Sequence, residues 1–301
     1  VREYFAGFDM LVMDECHKTK NVSSLTYRMC RAISSQCAYV LGLTGTPFGK
    51  DLTDLWPQFY LIDFGETLGP TLGFYRAVFF KAKPGYWGGM EYTFKKRLMP
   101  VLTRIIKNRS IHYSIDELVD LPPKEYITHT LSLPPGAEGY CQHALKAIRE
   151  AHKGQGSFQL IESNYLKLRQ LSSGFMTLKG EDNAKLQISF DHNPKLEALE
   201  GLLTALPYPS KAIVFHHFVH TNTLISNRLK KLKIGHARIW GGQRDQIGQL
   251  KKFREDEDCQ VLVINVKSGS SSLNLQFAKY LIFYEQPDSP IDRQQAEEFI
   301  S

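Results

Sequence analysis

An apolar run near the start of the chain, Phe8–Met13, ends abruptly in two adjacent carboxylates, Asp14 and Glu15, followed closely by His17. Such a run is typical of a strand that is buried on both faces of a parallel sheet. Ligands of open α/β sheets bind just beyond the carboxyl ends of such strands. Two neighbouring carboxylates at this place suit a divalent metal and a water to be activated. Solvated acids at an ordinary strand end are the alternative, because a four-letter motif is weak evidence.

A second apolar run, Ala38–Leu43, ends in the small polar sequence Thr44–Pro47. A polar stretch of about residues 24–34 separates the two runs and is predicted to be a helix. Parallel strands joined through a helix place their carboxyl ends on the same side of the sheet. The sequence therefore predicts that the hydroxyls after the second strand face the same side as the carboxylates after the first.

The sequences Asp14–His17, Leu43–Pro47 and Asp51–Trp56 resemble motifs II and III of the superfamily-two helicases. More narrowly, they are similar to those of the Swi/Snf-like ATPases, including bacterial and phage relatives. Both motifs stand in the family's order and at its spacing. The resemblance implies a motor that hydrolyses ATP with Mg²⁺ and moves on nucleic acid, with duplex DNA held through its backbone.

The resemblance also implies roles for individual residues. Asp14 would hold Mg²⁺ and Glu15 would activate the attacking water. His17 would complete the catalytic set and bridge to the neighbouring loop. The cofactor-binding residues implied on this side of the site are Thr44, Gly45 and Thr46.

From residue 193 onward, strand and helix patterns alternate, which predicts a second parallel-sheet lobe. Strands are expected at about 211–215, 236–240, 260–265 and 279–284. Within this part, 211–217, 267–275 and 294–298 resemble motifs IV, V and the opening of motif VI. This resemblance implies that Gly269, Asn274 and Gln295 contact the nucleotide and that Lys267 and Ser268 contact DNA.

The predicted fold class is therefore α/β, with two RecA-like parallel-sheet lobes and helical insertions, the first lobe being incomplete at its N-terminus. Consecutive prolines at 122–123 bar the helical region, and the lobe boundary is placed there. Residues 1–120 form the first lobe and 121–301 the second. A strand is expected at 125–133, and helices at about 136–152 and 158–171 lie within a protrusion of about 136–190.

Aromatic and basic residues interleave in an insertion of the first lobe, about residues 66–108, which is predicted to consist of helical pieces. Such interleaving serves nucleic-acid binding, and Lys95, Lys96 and Arg97 are the candidate DNA contacts. A small core with a solvated face is the alternative. The net charge of +6 and the isoelectric point near 8.9 permit a polyanionic partner without requiring one.

No run of residues is long enough and apolar enough for a membrane span. The five cysteines are scattered and form no Cys-x-x-Cys pair, which fits a reducing, intracellular compartment and argues against zinc. The closely spaced His216, His217 and His220 have no accompanying carboxylate or cysteine, so ordinary hydrogen-bonded or surface histidines are expected there.

The chain departs from the family pattern at three places. It contains no Gly-x-x-x-x-Gly-Lys-Ser/Thr loop, Ser270 and Ser272 stand where glycine is frequent in motif V, and Phe299 stands where motif VI has its first arginine. Because it also starts without methionine, the chain is interpreted as a fragment that is inactive alone. The alternatives are a non-catalytic binding module for DNA or protein, and a motor subunit of a restriction or defence complex whose partner subunits the sequence does not identify.

Overall fold

The computed structural model describes residues 4–5, 7–48, 51–85, 88–113, 124–155, 157–179, 185–266 and 275–298. The chain divides into two compact units, Val1–Pro122 and Pro123–Ser301, which are called the first and the second unit below. Among the described residues, no helix has the length and apolar character needed to cross a membrane.

A two-stranded parallel sheet in the first unit carries both candidate motifs. It consists of β1 (Met10–Asp14) and β2 (Tyr39–Leu43), which confirms the two predicted strands. The predicted helix between them is α1 (Leu25–Ser34), and it begins where the side chain of Ser24 accepts a hydrogen bond from a first-turn N–H. The register pairs the last residues of the two strands, so the segments that follow them start at the same edge.

The prediction that these strands are buried on both faces is wrong. One face packs against α1 and α2 (Leu55–Asp63), and there Met13, Tyr27 and Leu61 form a small buried core. Successive side chains of a strand point to opposite faces, and the described part of the chain leaves the second face uncovered. Its exposed side chains are Met10, Val12, Tyr39, Leu41 and Leu43.

The insertion of the first unit contains a hairpin that the sequence analysis missed. Helices α3 (Leu72–Phe79) and α4 (Met99–Lys107) flank the antiparallel strands β3 (Phe80–Pro84) and β4 (Met90–Phe94). The prediction of helical pieces alone is therefore wrong between the two helices. The cross-strand pair Phe80 and Phe94, edge to face with ring centroids 5.5 Å apart, anchors the hairpin on the aromatic core of the unit.

The start of the second unit also differs from the prediction. Residues 125–133 form no strand, because alternation produces a strand only where a second strand supplies the ladder bonds, and no described strand pairs with them. The two predicted helices are confirmed as α5 (Glu138–Glu150) and α6 (Phe158–Ser172), joined by a π-helical turn. An antiparallel hairpin, β5 (Phe175–Lys179) and β6 (Lys185–Ser189), follows them without having been predicted.

A four-stranded parallel sheet with order β10-β7-β9-β8 forms the centre of the second unit. All five residues of β7 are buried, and one hydrophobic core lies on each face of the sheet. The predicted α/β class with a parallel sheet is confirmed. The strands are β7 (Ala212–His216), β8 (Gly235–Ile239), β9 (Cys259–Asn265) and β10 (Tyr280–Phe283), and the helices are α7 (Pro194–Thr204), α8 (Val219–Lys231), α9 (Gln246–Glu255) and α10 (Pro290–Glu298).

A fully buried histidine, His216, ends β7. Its Nδ1 lies 3.0 Å from the carbonyl oxygen of Phe218, and its Nε2 lies 2.8 Å from Nδ2 of Asn222. The neutral imidazole satisfies both contacts, because Nδ1–H donates to the carbonyl and Nε2 accepts from the amide. Burial is the main cause that lowers the pKa of His216 to about 4, and the nearby carboxylate of Glu285 opposes this effect.

Acid is expected to destabilise the second unit through His216. In the unfolded chain its pKa is near 6.5, so between about pH 6.5 and about pH 4 the unfolded state binds a proton that the folded state does not. Above this window the contribution is complete, and across the window about 3 kcal/mol of unfolding free energy is lost. Urea unfolding near neutral pH and near pH 5 would measure this. His216→Gln should lack this part of the pH dependence, and an unchanged dependence in that variant would contradict the expectation.

Candidate active site

The first candidate residues lie directly after β1. Asp14 is exposed, and its Oδ1 accepts a hydrogen bond from the backbone N–H of Glu15 at 2.9 Å. Glu15 has φ 54° and ψ 47°, the left-handed region that residues other than glycine rarely adopt. Such backbone outliers cluster at functional sites.

A series of short polar contacts runs from Glu15 through His17 to the loop after β2. Nδ1 of the buried His17 lies 3.1 Å from Oε2 of Glu15 and 3.0 Å from Oγ1 of Thr44. The backbone N–H of Thr46 donates to the same Thr44 hydroxyl at 3.2 Å. The structure therefore brings together four of the candidate residues, and Gly45 lies exposed between the two threonines.

Two polar atoms at this edge of the sheet have no hydrogen-bond partner among the described residues. The hydroxyl of Thr46 is buried and has no hydrogen-bond partner in the described structure. Oδ2 of Asp14 likewise has none within the described ranges. A buried hydroxyl that lacks a hydrogen bond costs free energy, so its retention fits a ligand or water that is bound at this edge.

The oxygen donors at this edge fit Mg²⁺ only together with a nucleotide. The described residues contain no group of three or more His, Cys, Asp or Glu side chains that could hold a metal by themselves. Mg²⁺ in nucleotide sites is held by one or two carboxylates, phosphate oxygens and water. Asp14 can supply one such carboxylate oxygen.

Gln58 is a residue of this site that the sequence analysis missed. It lies on α2, is 3% exposed, and its Nε2 donates to the carbonyl oxygens of Pro47 at 2.6 Å and Asp54 at 2.7 Å. Its Oε1 lies 3.4 Å from Sγ of Cys16. Gln58 thus ties the loop after β1 to the loop after β2. The available signal was one amide within an otherwise apolar stretch of a helix.

Cys16 lies between Glu15 and His17 in the sequence, but its thiol is not reactive. Burial, supported by the neighbouring charge of Glu15, raises the pKa of its thiol to about 11. The thiol therefore stays protonated near neutral pH, and a protonated thiol is a poor nucleophile and metal ligand.

The remaining candidates lie elsewhere or outside the described residues. Gln295 is on α10 of the second unit and is 8% exposed. Lys95 directs its Nζ to the carbonyl oxygens of Ala77 and Val78 at the end of α3, whereas Lys96 and Arg97 are exposed beside it. Four predicted site residues lie outside the described residues, namely Lys267, Ser268, Gly269 and Asn274.

The SNF2-related domain matches residues 3–180, and the helicase conserved C-terminal domain matches residues 194–298. The first match covers more than half of the chain, so the chain belongs to the SNF2-related family. The Swi/Snf-like resemblance and the α/β class with RecA-like lobes that it implied are thereby confirmed.

Known relatives match almost the whole chain at low identity. An uncharacterized ATP-dependent helicase of Mycoplasma genitalium is 26% identical over 285 residues, which cover 92% of this chain and 25% of the relative. The ATP-dependent helicase fft2 of Schizosaccharomyces pombe is 28% identical over 372 residues, with 97% and 28% covered. The chain thus spans about a quarter of the length of these curated relatives. The SWI2/SNF2 ATPase core domain of Sulfolobus solfataricus aligns over 96% of this chain and 58% of that chain, with a TM-score of 0.47 and 19% identity.

Proposed function

We propose that this chain is part of an ATP-dependent motor that moves along duplex DNA. The observation that carries the proposal is the set of short polar contacts that Nδ1 of His17 makes with Glu15 and Thr44, beside the exposed carboxylate of Asp14. Through these contacts, a movement of Glu15 that follows a change in the bound nucleotide can be transmitted to the loop after β2. Membership of the SNF2-related family supports ATP as the substrate.

In this proposal each residue of the site has its own role in ATP hydrolysis. Asp14 would hold Mg²⁺, and the ion would supply positive charge beside the phosphates. Glu15 accepts a proton from the attacking water, and His17 fixes the orientation of the Glu15 carboxylate. Thr44 and Thr46 change their hydrogen bonds when the carboxylate moves. By the family resemblance, Gly269, Asn274 and Gln295 would also contact the nucleotide.

DNA would be bound mainly through its phosphates. Lys96 and Arg97 are exposed in the insertion, and the net charge of the chain is +6. Lys95 contributes less, because its ammonium already binds two carbonyl oxygens at the end of α3. Lys267 and Ser268 supply further contacts. Phosphate contacts make affinity fall with salt and depend little on sequence. The proposed lobes are residues 1–120 and 121–301.

The deciding measurement is ATP hydrolysis with and without duplex DNA, on this chain and on a version that includes its natural flanking sequence. We expect hydrolysis in the longer version, stimulated by duplexes of any sequence, and salt-sensitive DNA binding by both versions. A longer version that binds DNA without hydrolysing ATP would refute the motor and favour a binding module. A longer version that does neither would refute both.

A further inference from the structure

A half-buried arginine in the second unit is held unusually firmly. Nε of Arg238, on β8, donates to Oδ1 of Asn222 on α8 at 2.6 Å. Its backbone N–H donates to Oε1 of Gln249 on α9 at 3.1 Å. Its guanidinium carbon lies 4.6 Å from the ring centroid of Trp240, a distance at which the cation is attracted to the ring face. The guanidinium is therefore fixed from two sides.

The side-chain amide of Asn222, which accepts the hydrogen bond from Arg238, is itself held by His216. Asn222 is fully buried, and its Nδ2 donates to Nε2 of His216 at 2.8 Å. Because the other nitrogen of His216 donates to the carbonyl of Phe218, the imidazole can only accept from Asn222. This sets the amide with its oxygen toward Arg238. The three side chains form a preorganised support for one cation.

The charge of Arg238 has no counterion in the described part of the chain. No carboxylate there forms an ion pair with Arg238, and neither Nη amino group has a hydrogen-bond partner. Burial lowers the pKa of Arg238, and no neighbouring carboxylate opposes this. Arg238 is partly buried, and even partial removal of a charge from water without a partner carries a cost. The supported guanidinium of Arg238 therefore keeps its two Nη amino groups available to bind an anionic ligand.

The position of Arg238 suits an external ligand. It is the next-to-last residue of β8, and the parallel register places it close to the edge where β7 ends at His216 and β9 ends at Asn265. Open parallel sheets bind ligands at this edge. The two free Nη amino groups present a planar pair of donors, which matches two oxygens of a phosphate group.

We propose that Arg238, supported by Asn222 and Trp240, binds a phosphate group. On the proposed function, on which this inference rests, the phosphate belongs to the DNA backbone; a nucleotide phosphate has the same chemistry. Arg238, Asn222 and Trp240 all belong to the second unit and to the residues that the structure describes.

The test is fluorescence anisotropy of this chain with labelled duplex DNA of two unrelated sequences over a range of salt concentrations. Arg238→Gln should weaken binding about tenfold for both sequences and lower the slope of log affinity against log salt by about one. Trp240→Leu should weaken binding less, since it removes the supporting ring and leaves the charge and the bond to Asn222. This second variant serves as the test if Arg238→Gln fails to fold.

Lys231→Gln is the matched control, because it removes one positive charge from an exposed side chain at the far end of α8. Binding of Mg-ATP is measured in parallel. Loss of ATP binding alone in Arg238→Gln would support the phosphate site and assign it to the nucleotide. Equal behaviour of Arg238→Gln and Lys231→Gln in both assays would overturn the inference while leaving the proposed function intact. Absence of both DNA and ATP binding in the unaltered protein would overturn both.

Discussion

Replacing Glu15 with glutamine is expected to slow DNA-stimulated ATP hydrolysis by about 10²- to 10⁴-fold, the usual contribution of a positioned general base. Glutamine has the same shape but cannot accept the proton of the attacking water. It can keep a hydrogen bond to His17, whose Nδ1 lies 3.1 Å from the Glu15 carboxylate. The loss should therefore fall on kcat, with nucleotide affinity nearly unchanged. Steady-state hydrolysis and nucleotide binding, on the version with natural flanking sequence, measure the two quantities.

Asp9→Asn is the matched control, since it neutralises an exposed carboxylate that precedes β1 and lies away from the edge that carries the site. Its hydrolysis rate should equal that of the unaltered protein. Retention of more than about a tenth of the rate in Glu15→Gln would show that Glu15 is not the base. Equal losses in both variants would point to net charge instead of chemistry.

The sequence predicted the strands of both sheets because each is a short apolar run that ends in polar or small residues. The same local pattern located Asp14, Glu15, Thr44 and Thr46 at one edge, since parallel strands share their carboxyl ends. Burial of β1 and β2 was predicted wrongly, because what covers a strand depends on packing and not on its own composition. The prediction of a strand at 125–133 was wrong for a related reason. An alternating pattern of apolar and polar residues does not supply the partner strand that a sheet requires.

The contacts that organise the two sites were beyond sequence reasoning. Gln58 joins two loops from a helix 42 residues after Cys16, and nothing in the local pattern sets that distance. His216 was expected to be an ordinary hydrogen-bonded or surface histidine, and its hydrogen bonds agree with that expectation. Its link through Asn222 to Arg238 joins three elements of the second unit. Such links form only when the chain is folded, so they leave no periodic signal.

Replacing Glu285 with alanine is expected to lower the unfolding free energy of the second unit by about 3–5 kcal/mol, because it removes the acceptor of three donors and each lost partner costs about 1–3 kcal/mol. Glu285 is 4% exposed, and its carboxylate accepts hydrogen bonds from the backbone N–H groups of His217 at 2.6 Å and Phe218 at 3.0 Å. It also accepts from the hydroxyl of Thr221 at 2.6 Å. Alanine would remove this acceptor from two partly buried backbone N–H groups and from the buried Thr221 hydroxyl.

The reason for so large an effect is that Glu285, from a distant part of the chain, holds the two residues that precede α8 and the Thr221 side chain in its first turn. The helix begins after Phe218, which supplies no side-chain cap, and a carboxylate at a helix N-terminus also meets a favourable dipole.

Glu285→Gln keeps one oxygen for the two N–H groups and should cost only about 1–2 kcal/mol. Glu200→Ala, which breaks a partly exposed ion pair with Arg228, should cost less than about 1 kcal/mol. Urea unfolding of the three variants measures this order, and faster amide exchange at positions 217 and 218 in Glu285→Ala would locate the loss at the start of α8. If Glu285→Ala were no less stable than Glu200→Ala, the start of α8 would have to be held by its packing against the sheet and not by this carboxylate.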